Sequence, residues 1–221
     1  MPTLIRGTCT SALGGSRSGC ERAILAVAES HLVRRLRSGS VEPYSLFGLA
    51  NTPPRLHHCS VQIRKASVED AVEACQVVRR SIAELCQADH QDDPIVLEKW
   101  LSNNTFDNMR SWIADPDSYV VVATEGAAII GVGAITSSGE ITLNYVSPDA
   151  RFRGVSKAIL NQLEARALEL GNNTCALTST ETALRFYLSA GYVQFGPPEP
   201  GMGKGSSYRM VKQLFVTSQA V

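Results

Sequence analysis

Eight consecutive residues, Arg151-Phe-Arg153-Gly154-Val155-Ser156-Lys157-Ala158, carry the clearest chemistry in the sequence. They fall between a predicted strand and the start of a predicted helix. Small side chains there let an anion approach the backbone, and the first turn of a helix offers unpaired N–H groups at the positive end of its dipole. Arg151, Arg153 and Lys157 add charge at the mouth, while Gly154, Val155 and Ser156 supply the backbone. The combination reads as a diphosphate cradle. Glycine at a helix start and arginines on a loop also occur without ligands, so the rival motifs matter. A Walker A loop needs Gly-Lys followed by Ser or Thr, and Gly203-Lys204-Gly205 breaks it. A three-glycine dinucleotide fingerprint directly after a strand is absent. Gly154-Val-Ser156-Lys-Ala158 superficially resembles a nucleophile elbow. All four His (31, 57, 58 and 90) precede Ser156, however, whereas that hydrolase order places His last.

The elements that must position this segment follow from periodicity. Residues 61–65 alternate as a strand. Ser67-Val-Glu-Asp70 is a capping-box start for a helix carrying Ala71, Cys75, Val78, Ile82 and Leu85 at helical spacing. A polar break at 87–92 precedes Pro94, which suits the first turn of a second helix ending near Leu101. A third short helix is expected over 105–113. Strands are predicted at 119–124 and 128–136, joined by a Glu125-Gly126 turn, and at 140–147. After the cradle comes a strong helix over 154–170, with Val155, Ile159, Leu163 and Ala167 on one stripe and Gly171 as its stop. A strand at 174–178, a helix at 180–190 stopped by Gly191, and a strand at 208–215 complete a mixed α/β order. The crossover within 140–178 favours a parallel pair. Strict alternation in 140–147 sets Ile141, Leu143 and Tyr145 on one face against Glu140, Thr142 and Asn144 on the other. A polar face on a central strand implies a solvated cleft beside it.

A strand, Arg151-x-x-Gly154-x-Ser156, a long amphipathic helix, a strand, then Ala183-Leu-Arg-Phe186-Tyr187-Leu-Ser-Ala-Gly191-Tyr192 together resemble the GNAT superfamily of acetyl-CoA-dependent N-acetyltransferases. The resemblance covers about residues 61–214. The family pattern is Arg/Gln-x-x-Gly-x-Gly/Ala, so Ser156 departs at the last small position, and Thr180 stands where the family often has Asn. The resemblance implies an α/β fold with a mixed central sheet flanked by helices on both faces. It implies acetyl-CoA as cosubstrate, with no metal, lying along 140–147 with its pyrophosphate on 151–158. It gives Asn144 and Val146 the backbone N–H groups that hold the pantetheine and polarise the acetyl carbonyl. Thr180 is a further cofactor contact on this reading. Glu140 takes the place of a general base and Tyr187 that of the acid for the departing thiolate. Blander readings stand beside these. Glu140 is also a plain strand start, and Tyr187 shares an apolar stripe with Leu184 and Leu188. Asp89, His90 and Trp100 occupy the region that often covers the acceptor in this family, with His90 expected as an exposed loop residue. Family members are often dimers, so a homodimer is implied as well.

Composition bounds the partners. Lys plus Arg equals Asp plus Glu at 21 each, so no global field favours nucleic acid or an anionic membrane. Residues 1–60 hold seven Arg against three Glu. They read as a Gly/Ser/Thr-rich disordered start, one amphipathic helix over 21–37 and a Pro-containing linker. The six Cys show no CxxC pair, and His57-His58-Cys59 lacks a second matched pair, so no metal is expected. Cys75 and Cys175 sit at apolar periodic positions and read as buried thiols in a reducing, cytoplasmic setting. No run reaches the roughly 20 apolar residues that span a bilayer. The expectation is a domain over 61–221 that moves acetyl from acetyl-CoA to a primary amine, most simply a small molecule. A protein acceptor and a CoA-binding module without turnover are the rivals.

Overall fold

The computed structural model describes residues 60–201, 203 and 205–215; the expectations for residues 1–59 lie outside that range. Three successive segments rich in Val, Ile, Ala and Gly can avoid water only in a sheet covered on both faces. They are the strands β2 (Ser118–Glu125), β3 (Ala128–Thr136) and β4 (Glu140–Val146), joined antiparallel in order. β1 (Gln62–Lys65) pairs with β2 at the edge. On the other side β4 meets β5 (Thr174–Thr180) in the parallel pairing that the crossover predicts. Two short strands, β6 (Val193–Gln194) and β7 (Glu199–Pro200), pair with β8 (Ser206–Gln213), which itself lies antiparallel to β5. The sheet order is β1-β2-β3-β4-β5-β8-β6.

Helices cover the two faces. α1 (Ala71–Leu85), α2 (Gln87–His90), α3 (Pro94–Ser102) and α4 (Phe106–Ala114) fall between β1 and β2. α5 (Val155–Glu169) links β4 to β5, and α6 (Glu181–Ser189) follows β5. Their starts are written in side chains. Ser67 and Asp70 form the expected capping box. Asp93 accepts from Ile95 N at 3.0 Å ahead of Pro94, and Thr105 accepts from Asn108 N at 3.2 Å. One core cluster joins Cys75, Val78, Ile82, Trp100 and Met109 to Val120, Val122, Val132, Leu143 and Tyr145. The other joins Ile159, Leu163 and Tyr187 to Val121, Ala123, Ile135 and Ile141. Alternate residues of β2 thus serve opposite cores. Cys75 and Cys175 are buried free thiols.

One expectation about β4 is overturned. The register runs Ala134↔Leu143 and then Ile135↔Ile141, so Thr142 is an extra residue in a β-bulge. The bulge flips the alternation. Leu143 and Tyr145 belong to the core under α1 and α3, while Ile141 belongs to the opposite core with α5. Glu140, Thr142 and Asn144 therefore do not form one polar face, and Thr142 and Asn144 are buried.

Candidate active site

The parallel pair is brief. β4 and β5 match only at Glu140↔Ala176 and Ile141↔Leu177, after which the strands separate, while β5 stays paired to β8 as far as Thr180. A wedge opens between the distal halves of β4 and β5. Ser147 N donates to Ile130 O of β3 at 2.8 Å. Alternation back along β4 turns the N–H groups of Val146 and Asn144 the other way, toward the wedge. Both residues named for backbone contacts thus present those groups along its open edge.

The wedge runs out at the N-terminus of α5. Gly154 is the cap residue there, with φ 78° and ψ 4°, and as a glycine it puts no side-chain cap on the first turn. A Cβ built on Gly154 meets nothing within 4 Å, so the space beside its Cα is open. α5 is seated by glycines beneath it. A Cβ on Gly131 would lie 2.8 Å from Ile159 Cδ1, and one on Gly133 would lie 3.2 Å from Leu163 Cδ1. Only bare backbone lets the helix settle this close to β3. Ser156 explains its own departure from a smaller residue. Its Oγ donates to Asn144 Oδ1 at 3.1 Å, tying the first turn of α5 to β4 where both residues are buried.

Around this end Arg151 is half-buried, while Phe152, Arg153, Gly154 and Lys157 are exposed. Arg151 stacks its guanidinium over Phe152, 4.8 Å from the ring centroid. Arg153 pairs with Glu125, its Nη1 donating to Oε2 at 3.1 Å. Arg153 holds the Glu125 carboxyl below its ordinary range. The donors, open backbone and cationic rim fit a diphosphate, so these residues can hold coenzyme A.

The two residues expected to carry the proton chemistry lie apart from that rim. Tyr187 is fully buried in α6, its ring edge-on to Phe186 and to Tyr192 at centroid distances of 5.0 and 5.6 Å. Glu140 is half-buried at the closed end of the wedge, where its N–H donates to Thr136 Oγ1 at 3.1 Å. Thr180 ends β5 and caps α6, its Oγ1 accepting from Ala183 N at 3.3 Å. Beside it a small cleft of about 20 Å³ is lined by Asp89, Trp100, Thr178, Thr180, Gly205 and Ser207, among others, and not by Glu140 or Tyr187. Gly201, Gly203 and Ser206 also line it. His90, expected as an exposed loop residue, is instead buried, as is Asp89. His90 Nδ1 accepts from Asp92 N at 3.1 Å, an assignment that puts the ring proton on Nε2. Burial pushes the Tyr145 phenol far above its ordinary value.

Among the described residues no His, Cys, Asp or Glu group could hold a metal ion, and no helix is long and apolar enough to cross a membrane. Among solved structures, a GCN5-related N-acetyltransferase from Rhodopseudomonas palustris is similar at 21% identity and TM-score 0.62, over 69% of this chain and 95% of that one. The PaiA N-acetyltransferase from Thermoplasma acidophilum, solved in complex with coenzyme A, is similar at 19% identity and TM-score 0.59, over 70% and 99%. The ribosomal-protein-S18-alanine N-acetyltransferase from Escherichia coli is similar at 14% identity and TM-score 0.54, over 73% and 99%. No curated protein matches the chain in sequence. These likenesses concern the fold; the sequence itself matches the model of the GNAT acetyltransferase domain over residues 86–212, more than half of the chain. A wedge in the sheet, an open glycine-capped helix end and this match agree, and the chain belongs to the GNAT acetyltransferase family, an acyltransferase.

Proposed function

We propose that the protein moves the acetyl group of acetyl-CoA directly to a primary amine of a small molecule. The observation that carries this is the edge of β4 beyond Ile141, where β5 no longer pairs with it: the N–H groups of Asn144 and Val146 turn toward the wedge, which ends at the glycine-capped first turn of α5. A rod-like ligand with a diphosphate at one end fits that line of donors, and the coenzyme A in the PaiA structure makes acetyl-CoA its natural occupant. When bound, acetyl-CoA supplies an acetyl group activated as a thioester.

The chain's own residues then have separable tasks. Gly154, Val155, Ser156 and Lys157 receive the diphosphate through first-turn N–H groups, with Arg151 and Arg153 as charge partners. Arg153 must exchange Glu125 for the phosphate. The donors of Asn144 and Val146 hold the pantetheine and stabilise the developing oxyanion. Thr180 keeps the end of β5 in place and presents a hydroxyl to the same space. Tyr187 supplies the proton for the departing sulfur. Glu140 takes the proton that an amine must lose, since a lysine-type amine has a reference pKa of about 10.4. The small cleft, walled by Asp89, Trp100 and a run of Gly, Ser and Thr residues, favours a compact acceptor.

Calorimetry with the full chain tests the binding half. Acetyl-CoA should bind saturably, and the Arg151→Ala/Arg153→Ala double variant should bind roughly 10- to 100-fold more weakly. Thiol release with n-butylamine, benzylamine and glycinamide tests the transfer half. Binding without release across the panel would favour a CoA-binding module instead; no binding at all would remove the reading.

A further inference from the structure

Glu125 ends β2 at the Gly126-Ala127 turn, where it pairs with Ala128 across the hairpin. The hairpin is braced from outside the sheet. Glu73 of α1 accepts from Ile129 N at 2.8 Å, one pair along from Glu125. From this braced tip the Glu125 carboxylate meets the cradle loop. Arg153 Nη1 donates to its Oε2 at 3.1 Å, and Arg153 Nη2 donates to its Oε1. Two parallel N–H donors on two oxygens are also the fork with which a guanidinium takes a phosphate. Glu125 thus occupies the same donors of Arg153 that a diphosphate would use. Arg153 in turn holds that carboxyl below its ordinary range, so the acid stays ionised at neutral pH.

A second carboxylate on the same stretch of chain is handled differently. Asp149 Oδ2 accepts from Arg80 Nη1 at 2.9 Å. Arg80 belongs to α1 and also donates from Nε to Glu84 Oε1 at 2.9 Å. Asp149 therefore draws its counter-ion from outside the cradle, whereas Glu125 draws its own from the cradle itself. When Arg153 turns to a diphosphate, Glu125 is left facing a polyanion with its pairing lost. The side chains of Arg153 and Glu125 are 43% and 29% exposed, so solvent screens the pair and a ligand can break it. A pair of this exposed kind is worth a change of about 2- to 5-fold in a binding constant. That is small beside the whole affinity for a cofactor and large enough to measure.

We propose that Glu125 is a built-in competitor for Arg153, standing in for the diphosphate when the site is empty, limiting affinity for the cofactor and hastening release of CoA after transfer. This rests on the acetyl-CoA reading above. Calorimetry of the full-length protein with CoA, and separately with inorganic pyrophosphate, tests it. Glu125→Gln keeps the length of the side chain and an oxygen for Arg153, so it should fold. It should bind CoA about 2- to 5-fold more tightly, with dissociation slowed by a similar factor in surface plasmon resonance. In an Arg153→Ala background the same change should gain clearly less, because the contested donors are gone. An equal gain there would mean plain repulsion between Glu125 and the ligand, and overturns the proposal. So does unchanged or weaker binding in Glu125→Gln, the result expected were Glu125 only to orient Arg153. Glu125→Asp keeps the charge but withdraws the carboxylate by one methylene. It too should bind CoA more tightly than wild type, and that comparison decides alone should Glu125→Gln not fold. A wild-type protein that binds pyrophosphate but not CoA sinks the acetyl-CoA reading, while the pyrophosphate affinities of the same variants still decide on Glu125. One that binds neither removes both.

Discussion

At Tyr187, packing and the proposed chemistry make different demands on one side chain. Its ring is wedged edge-on between Phe186 and Tyr192, and that contact survives in Tyr187→Phe. Only the hydroxyl is lost. The variant should therefore keep its acetyl-CoA affinity while kcat falls by about 10²-fold or more, the usual weight of a positioned acid. A kcat equal to wild type would mean that the thiolate takes its proton elsewhere. Asp70 makes a prediction of another kind. Arg64, bidentate at 2.7 and 2.8 Å, holds its carboxyl at about 2, with help from the Ser67 N–H at 2.7 Å. The folded value lies below the unfolded one of about 3.9, so the stabilisation is complete above that pH and disappears as pH falls toward 2. Arg64 is half in solvent, which limits the effect to about 1 kcal/mol. Melting temperatures measured from pH 5 to pH 2 should fall less steeply in Arg64→Ala than in wild type.

At the scale of elements the seat of α5 is the sensitive joint. Gly133→Ala would push a methyl into Ile159 and Leu163, and overpacking of this sort costs about 1–3 kcal/mol. Ile159→Ala makes room, so the double variant should be destabilised by less than the sum of the two singles in urea unfolding. Additive losses would mean that the helix shifts rather than clashes. This joint was only half legible in the sequence. The stripe Val155, Ile159, Leu163 and Ala167 gave the buried face of α5, and Gly131 and Gly133 were visible, but nothing local says which helix lies above them. The capping box at Ser67, Pro94 at a helix start and Gly171 at a helix end were legible because each acts within one turn. The bulge at Thr142 was not, since a bulge is set by the register against β3 and leaves the local pattern looking regular. β6 and β7 are two residues each, too short for periodicity to register. Asp89 read as part of a polar break, because the N–H groups it meets lie 92 and 93 residues further along the chain.

For the molecule as a whole, the proposed ligand completes a sheet that the protein leaves open. β4 is hydrogen-bonded along its length to β3, but its other edge has β5 only as far as Ile141. The amides of Asn144 and Val146 therefore face the wedge rather than a neighbouring strand, while those of β5 are secured by β8. Acetyl-CoA bound along that edge should slow hydrogen exchange at 142–146 and in the first turn of α5, and change little in β1 or β8. It should also raise the melting temperature by mass action, by about 2.7 kcal/mol of stability at a hundredfold excess over Kd. The even balance of 21 basic and 21 acidic residues supplies no long-range pull on an anion. Added salt should then weaken binding only through the few contacts at Arg151, Arg153 and Lys157, so the Arg151→Ala/Arg153→Ala variant should lose most of the salt dependence along with its affinity. Slowed exchange confined to the α5 turn, with 142–146 unchanged, would place the diphosphate as proposed but take the pantetheine out of the wedge. The thioester would then lie away from Tyr187, and the transfer chemistry would need another acid.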